Sequence, residues 1–215
     1  MNLSSPFLDL QLGDCMELMK DAPDDYWDLA IVDPPYGIET KGNAQDRFRM
    51  GMQLETVNDN KPGVDYFEEL ERVSVNRIIW GYNHLSDMLP ACREFIFWYK
   101  HQPVVTFSDG ELAWSSFQKT ARCFDYPFHK AILANKGQKI HPTQKPVALY
   151  NWLLANYAKP GQRILDTHMG SGSIAIACHY FGAHLTATEI DSDYFEAACE
   201  RIERETSQLE MEALT

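Results

Sequence analysis

Leu29-Ala30-Ile31-Val32-Asp33-Pro34-Pro35-Tyr36-Gly37 is the stretch on which the fold turns. Four consecutive apolar residues suit a strand buried on both faces, as in a parallel sheet flanked by helices. The two prolines end that strand, since neither can donate to a ladder. An acid and an aromatic ring are thereby left at the strand's carboxyl end.

Outward from this stretch, short apolar runs alternate with helical patterns. The strand candidates are Phe7–Leu12, Trp27–Val32, Asn76–Trp80, Glu94–Tyr99, Ala121–Tyr126, Arg163–Asp166 and His184–Glu189. Thr143 is placed to cap a helix with Pro146 in its early turn, in which Val147, Tyr150, Leu154 and Tyr157 recur at helical spacing until Lys159-Pro160-Gly161. Ile174, Ala177, Cys178 and Phe181 repeat the pattern up to Gly182. Phe195, Cys199 and Ile202 do so again, with Asp191 and Asp193 near the positive end of the helix dipole. Such alternation predicts an α/β fold around a mostly parallel, seven-stranded sheet. Residues 38–63 lack periodicity, and a loop of that length is either a lid or binding loop or else disordered.

Composition narrows the class. A chain of 215 residues, 45% hydrophobic and 12% aromatic, is expected to form one domain over residues 1–215 rather than a disordered chain. No run reaches the roughly 18 apolar residues of a membrane span, and the N-terminus lacks the pattern of a secretory signal. Cys15, Cys92, Cys123, Cys178 and Cys199 are odd in number and form no CxxC pair. They read as reduced, mostly buried thiols of a cytoplasmic protein, not as a disulfide framework or a metal site. The net charge of −12 is unevenly spread: residues 189–212 are strongly acidic, whereas 119–145 carry Lys119, Arg122, Lys130, Lys136, Lys139 and Lys145 against Asp125. Either a basic face coexists with an acidic back, or both runs are solvated surface.

Two further segments carry chemistry. Ile164-Leu165-Asp166-Thr167-His168-Met169-Gly170-Ser171-Gly172-Ser173 reads as strand, acid, glycine-rich turn and helix start. This arrangement exposes backbone N–H groups to a cofactor's carboxylate or phosphate, although a plain turn would look alike. No Lys follows the glycines as a phosphate loop of the GxxxxGK[ST] type requires. Glu189 ends the next strand candidate, where it is either an acceptor for two ribose hydroxyls or an ordinary strand-end charge. His141-Pro142-Thr143-Gln144-Lys145-Pro146 is a stiff polar turn before a helix.

Taken in this order, Asp33–Tyr36, His141–Pro146 and Asp166–Ser173 resemble the motifs of the β-type, circularly permuted DNA amino-methyltransferases. Those enzymes methylate an exocyclic nitrogen of adenine or cytosine with S-adenosylmethionine. Gly13-Asp14-Cys15, Ile78–Asn83 and Phe107–Trp114 resemble further family segments. The resemblance implies a doubly wound, Rossmann-like methyltransferase domain with one antiparallel strand. Its catalytic half would be about residues 7–126 and its cofactor half about 141–207.

The same resemblance assigns roles. Asp33, Pro34, Pro35 and Tyr36 would be catalytic, with Tyr36 stacking on a base flipped from the duplex. Asp33 and the Pro34 carbonyl would hold the two amine hydrogens, turning the nitrogen lone pair toward the methyl group. Asp14, Cys15, Asp33, Thr143, Gln144, Lys145, Asp166, Met169, Gly170, Ser171, Gly172 and Glu189 would bind the cofactor. In the family, Asp at the first motif position usually accompanies adenine N6 and Ser cytosine N4, so adenine is expected. A cytosine N4 enzyme and a catalytically silent cofactor-binding module are the alternatives. The absence of a Pro-Cys dipeptide argues against the cytosine C5 route.

The expected partner is double-stranded DNA in a bacterial or phage-encoded setting, with a homodimer and a restriction-system partner left open. Only Phe128–Ile140 separates the last catalytic-half strand candidate from the 141–146 turn, too little for the target-recognition segment of many relatives. Lys41, Arg47, Arg49 and Lys61 in the 38–63 loop, Asn83, and Lys136 and Lys139 in the basic stretch are therefore expected to contact DNA, or else to be plain surface charges.

Overall fold

The computed structural model describes residues 5–37, 60–101, 108–127, 130, 140–141 and 143–212. Among them eight strands form one sheet: β1 (Leu8–Leu12), β2 (Trp27–Val32), β3 (Ser74–Trp80), β4 (Phe95–Tyr99), β5 (Gly110–Ser115), β6 (Arg122–Asp125), β7 (Arg163–Asp166) and β8 (His184–Glu189). Their order is β1-β8-β7-β2-β3-β5-β4-β6. β5 runs antiparallel to both neighbours, and every other pairing is parallel.

All seven expected strands are present, and the expected count is corrected by the eighth, β5. It opens on a glycine and offers only Leu112-Ala113-Trp114 as an apolar signal, so local pattern alone marks it weakly. That glycine is needed. Gly110 pairs with Tyr99, and a Cβ there would lie 2.1 Å from the Trp98 carbonyl oxygen.

Helices α1 (Cys15–Asp21), α2 (Val64–Val73), α3 (Tyr82–Leu85), α4 (Val147–Tyr157), α5 (Ser173–Phe181) and α6 (Ser192–Glu212) cover both faces of the sheet. The strands' two-residue period divides the core accordingly. Leu29, Ile31, Ile78 and Trp80 pack with Leu149 and Leu153 of α4, Ile174 of α5 and Ile202 of α6. Ala30, Val32, Ile79 and Trp114 pack with Met19 of α1, Leu70 of α2 and Leu85 of α3. The sheet is thus wound on two sides.

Helix starts follow local chemistry, with one correction. Asp14 caps α1 by accepting from the Met16 N–H at 2.8 Å, and Asp191 Oδ1 accepts from the N–H groups of Asp193 and Tyr194 at the start of α6. Thr143, expected to cap α4, does not: Pro146 is the capping residue, and the Thr143 hydroxyl lies 3.1 Å from His141 Nδ1. A residue before proline is disfavoured in the helical region, which keeps Lys145 out of the helix, and Pro146 itself is extended, so the first turn begins at Val147. Cys178 and Cys199 are buried, Cys15 and Cys92 partly so, and Cys123 is exposed, a wider spread than the mostly buried thiols expected; all five are free. Among the described residues no helix is long and apolar enough to cross a membrane, and no side-chain cluster suits a metal ion.

Because β1, β8, β7, β2 and β3 are parallel, their carboxyl ends share one edge. Ala30 pairs with Leu165, Asp166 with Ala187, and Leu12 with Glu189, so Asp33, Asp166, Glu189 and Gly13 emerge along that edge. Replacing Gly110 with Val should lower unfolding stability by about 1–3 kcal/mol, because the new side chain overlaps the β4 backbone. Chemical denaturation measures this, and unchanged stability would refute the β4–β5 register.

Candidate active site

Asp33 leaves β2 where the prolines end the ladder, and two side chains meet it. The Tyr36 hydroxyl donates to Asp33 Oδ1, and the Lys145 ammonium donates to Asp33 Oδ2. The Tyr36 ring lies against Gly81, whose φ of +81° and missing Cβ give it room, since a Cβ would sit 2.1 Å from the ring. His84 of α3 stacks on the same ring, with centroids 5.2 Å apart and planes 17° from parallel.

Lys145 is the most constrained charge of the site. Its side chain is 3% exposed, its ammonium lies 5.3 Å from the centroid of the Trp80 ring, and Glu111 Oε2 is 3.3 Å away. Lys100 closes on the other Glu111 oxygen. Burial alone would discharge these groups. It works to push the Lys145 ammonium down, but Asp33 and Glu111 hold it above the ordinary lysine value. It likewise works to push the Glu111 carboxyl up, but Lys145 and Lys100 hold it below the usual range. Tyr36 is driven well above its usual value by burial, then by Asp33 and Glu111, and so stays a donor.

The glycine-rich turn lies on the adjacent strand end. Gly170 and Gly172 take φ of +52° and +71°, which turns the chain into the N-terminus of α5. Glu189 Oε2 accepts from the Gly170 N–H at 2.8 Å, and the Glu189 carbonyl accepts from the Gly13 N–H at 2.9 Å. The 141–146 turn is tied in by Ser173, whose hydroxyl donates to the Lys145 carbonyl at 2.7 Å. Buried Arg201 holds that hydroxyl and the Ser171 carbonyl at 2.9 and 2.8 Å. Asp166 is buried and accepts from the His168 N–H at 3.0 Å. Burial pushes its carboxyl up to about 7; the His168 N–H opposes this, and Asp33 and Glu189 add to it. His168 itself is pushed down to about 4 by burial and stays neutral.

The segments expected to cooperate therefore meet on one edge: Asp33–Tyr36 after β2, Asp166 with Met169–Gly172 after β7, Glu189 at the end of β8, Asp14 and Cys15 at the start of α1, and Thr143–Lys145 before α4. Lys145 is corrected in one respect. Placed by sequence within a basic stretch suited to phosphates, it is instead sealed inside the protein against Asp33 and Glu111. Of the residues expected to touch DNA, Lys61 pairs with Asp87 at 2.6 Å, and Asn83 is exposed on α3 beside His84. Lys41, Arg47, Arg49, Lys136 and Lys139 lie outside the described residues, as does 38–59 of the expected loop. Sequence reasoning gave no role to Glu111, Lys100, Trp80 or His84. Only an acid within a strand could have flagged Glu111, and β5 was itself hard to see. A cavity of about 490 Å³, lined by Asp9, Tyr26 and Arg163 among others, opens at the amino-terminal ends of the strands, opposite this site. Ligands of parallel sheets gather at the carboxyl ends, where the carboxylates described above converge.

The family model of the N6/N4 DNA methylases matches residues 54–200. The chain belongs to that family. This DNA methylase is similar to the type II methyltransferase M.HpaI of Haemophilus parainfluenzae, with 23% identity covering 90% of this chain and 73% of M.HpaI. Among solved structures, it resembles the M1.HpyAVI–SAM complex with a TM-score of 0.61 at 19% identity, over 91% of this chain and 98% of that one. It also resembles the cytosine-N4-specific PvuII DNA methyltransferase, with a TM-score of 0.58 at 14% identity, over 95% and 94% of the two chains. The methylase fold thus frames the edge where the carboxylates gather.

Asp166 gives the methylase a testable pH signature. Its folded value of about 7 exceeds the ordinary 3.8, so its protonated form contributes stability below that ordinary value, and this contribution is lost as pH rises through about 7. In thermal melts Asp166→Asn, which cannot ionise, should gain on wild type from about pH 4 to about pH 8, by a few kcal/mol at roughly 1.4 per unit. A constant difference across that range would show that Asp166 ionises freely.

Proposed function

We propose that this DNA methylase moves the methyl group of S-adenosylmethionine to the exocyclic N6 amine of an adenine flipped out of double-stranded DNA. The observation that carries the reading is the meeting of Asp33 with the cofactor-side turn: β2 and β7 are neighbours, and Lys145, whose carbonyl is held by α5, donates to Asp33.

The residues fit the cofactor. Gln144 is buried, and among the described residues its Nε2 has no hydrogen-bond partner, a costly state that a polar ligand would relieve. Glu189 would accept the ribose hydroxyls, Asp14 and the Cys15 N–H would meet the adenine moiety, and the Met169–Gly172 turn, Asp166, Thr143 and Lys145 would border the methionine moiety. When bound, S-adenosylmethionine supplies an electrophilic methyl on sulfur. About 7–126 would then act as the catalytic half of one domain and about 141–207 as its cofactor half.

The chain's own residues do the rest. Tyr36 offers a ring face on which a flipped base can stack. Asp33 and the Pro34 carbonyl would accept the two amine hydrogens, holding both to one side so that the lone pair points away from them; Pro35 stiffens that turn. Positive charge grows on the nitrogen as the methyl arrives, and the ionised Asp33 carboxylate stabilises it. The transfer would be a direct in-line displacement, the carbon–sulfur bond breaking with its electron pair left on sulfur as the nitrogen–carbon bond forms, so no covalent enzyme intermediate is required. Asp33 then takes the surplus proton. Asp at this position supports adenine. The likeness to a cytosine-N4-specific enzyme supports cytosine N4 as the second reading. DNA contact by the 38–63 loop, a homodimer and a restriction partner belong to the same proposal.

Unmethylated DNA incubated with labelled cofactor and digested to nucleosides should yield N6-methyl-2′-deoxyadenosine. N4-methyl-2′-deoxycytidine would favour the second reading, and no label would overturn both. Asp33→Asn should slow transfer at least about a hundredfold while cofactor affinity largely holds, because the interactions lost involve mainly the amine. Glu189→Ala should instead weaken cofactor binding by about 1–3 kcal/mol in a titration, and unchanged affinity would remove Glu189 from the site.

A further inference from the structure

A carboxylate that must stabilise a growing cation is poorly served by an ammonium resting on it. Lys145 places one on Asp33, and with the Lys145 side chain only 3% exposed water screens the contact weakly. Left alone, that pair would be nearly neutral, and the positive charge of Lys145 would oppose the charge that reaches the amine nitrogen. Glu111 answers this. Its Oε2 lies 3.3 Å from the Lys145 nitrogen, close enough to draw on the ammonium. Lys100 holds the other Glu111 oxygen and lies 4.6 Å from the centroid of the Trp98 ring. The row Asp33, Lys145, Glu111, Lys100 alternates in sign and sums to zero.

Resting on the reading of Asp33 as the acceptor of the amine hydrogens, we infer that Glu111 is a positioning residue that offsets the Lys145 charge and leaves Asp33 anionic toward the amine. Glu111 touches neither base nor cofactor in this scheme and acts through Lys145. Among the described residues, the other ionisable groups around the row are Tyr36, which donates to Asp33, and Tyr66, Tyr150, Asp166 and His168, which sense its charges from α2, α4, β7 and the turn after β7. Glu111 reaches the row only because β5 runs antiparallel between β3 and β4, where Trp98 opposes it and Trp80 pairs with Ala113.

The test is single-turnover methyl transfer at saturating labelled S-adenosylmethionine, with PCR-amplified bacterial genomic DNA as the unmethylated substrate and cofactor affinity measured alongside. Glu111→Gln should slow transfer at least tenfold with cofactor affinity within twofold of wild type. Adding Lys145→Met to Glu111→Gln should restore at least threefold, because the uncompensated cation is then gone. A purely structural role predicts that the double variant is no faster than Glu111→Gln, and that result overturns the inference, as does wild-type speed in Glu111→Gln. Should Glu111→Gln fail to fold, Glu111→Asp with and without Lys145→Met decides by the same comparison. Asp33→Asn in the same assay separates the two readings. Retained transfer there removes the role of Asp33, and with it this inference. An inactive Asp33→Asn beside an unimpaired Glu111→Gln removes the role of Glu111 alone.

Discussion

The contact between Lys145 and Asp33 holds the candidate site together. It joins the end of β2 to the turn before α4, and that turn is bound to α5 through Ser173. Two charges out of water are costly to keep, and they persist only where each is satisfied. Glu111 and Lys100 complete the set on one side, and Tyr36 on the other. The site is therefore a closed electrostatic unit rather than a collection of surface acids.

The sheet makes that unit affordable. β2 is buried on both faces, and β7 and β3 lie beside it in parallel, so the strand ends stand at the same height. Backbone N–H groups at the start of α5 and carboxylates at the ends of β2, β7 and β8 then face one region. In the proposed reading the same edge would serve two demands: a polar cradle for a charged cofactor and an anionic point for a growing cation.

Much of this was legible in local pattern. The run Leu29–Val32 before Asp33-Pro34-Pro35 identified a buried strand and its end, and the glycines at 170 and 172 marked a turn into a helix, where the structure has left-handed backbone. β5 was not legible, because a short strand begun by glycine has no period to read. Nor was the start of α4, where Pro146 overruled the capping preference of Thr143. Lys145 looked like one cation among six between 119 and 145, since burial leaves no trace in a charge count.

The sequence by itself determined seven of the eight strands among the described residues, the last three helices, the residues at the strand ends and the family, because these rest on local spacing and on motifs of a few residues. Only the tertiary structure decided which charges meet. Lys145 and Asp33 are 112 positions apart, and Glu111 joins them from a strand whose antiparallel course places it there. The physical reason is that strand order in a sheet is settled by burial of whole faces, which no short window of residues can register.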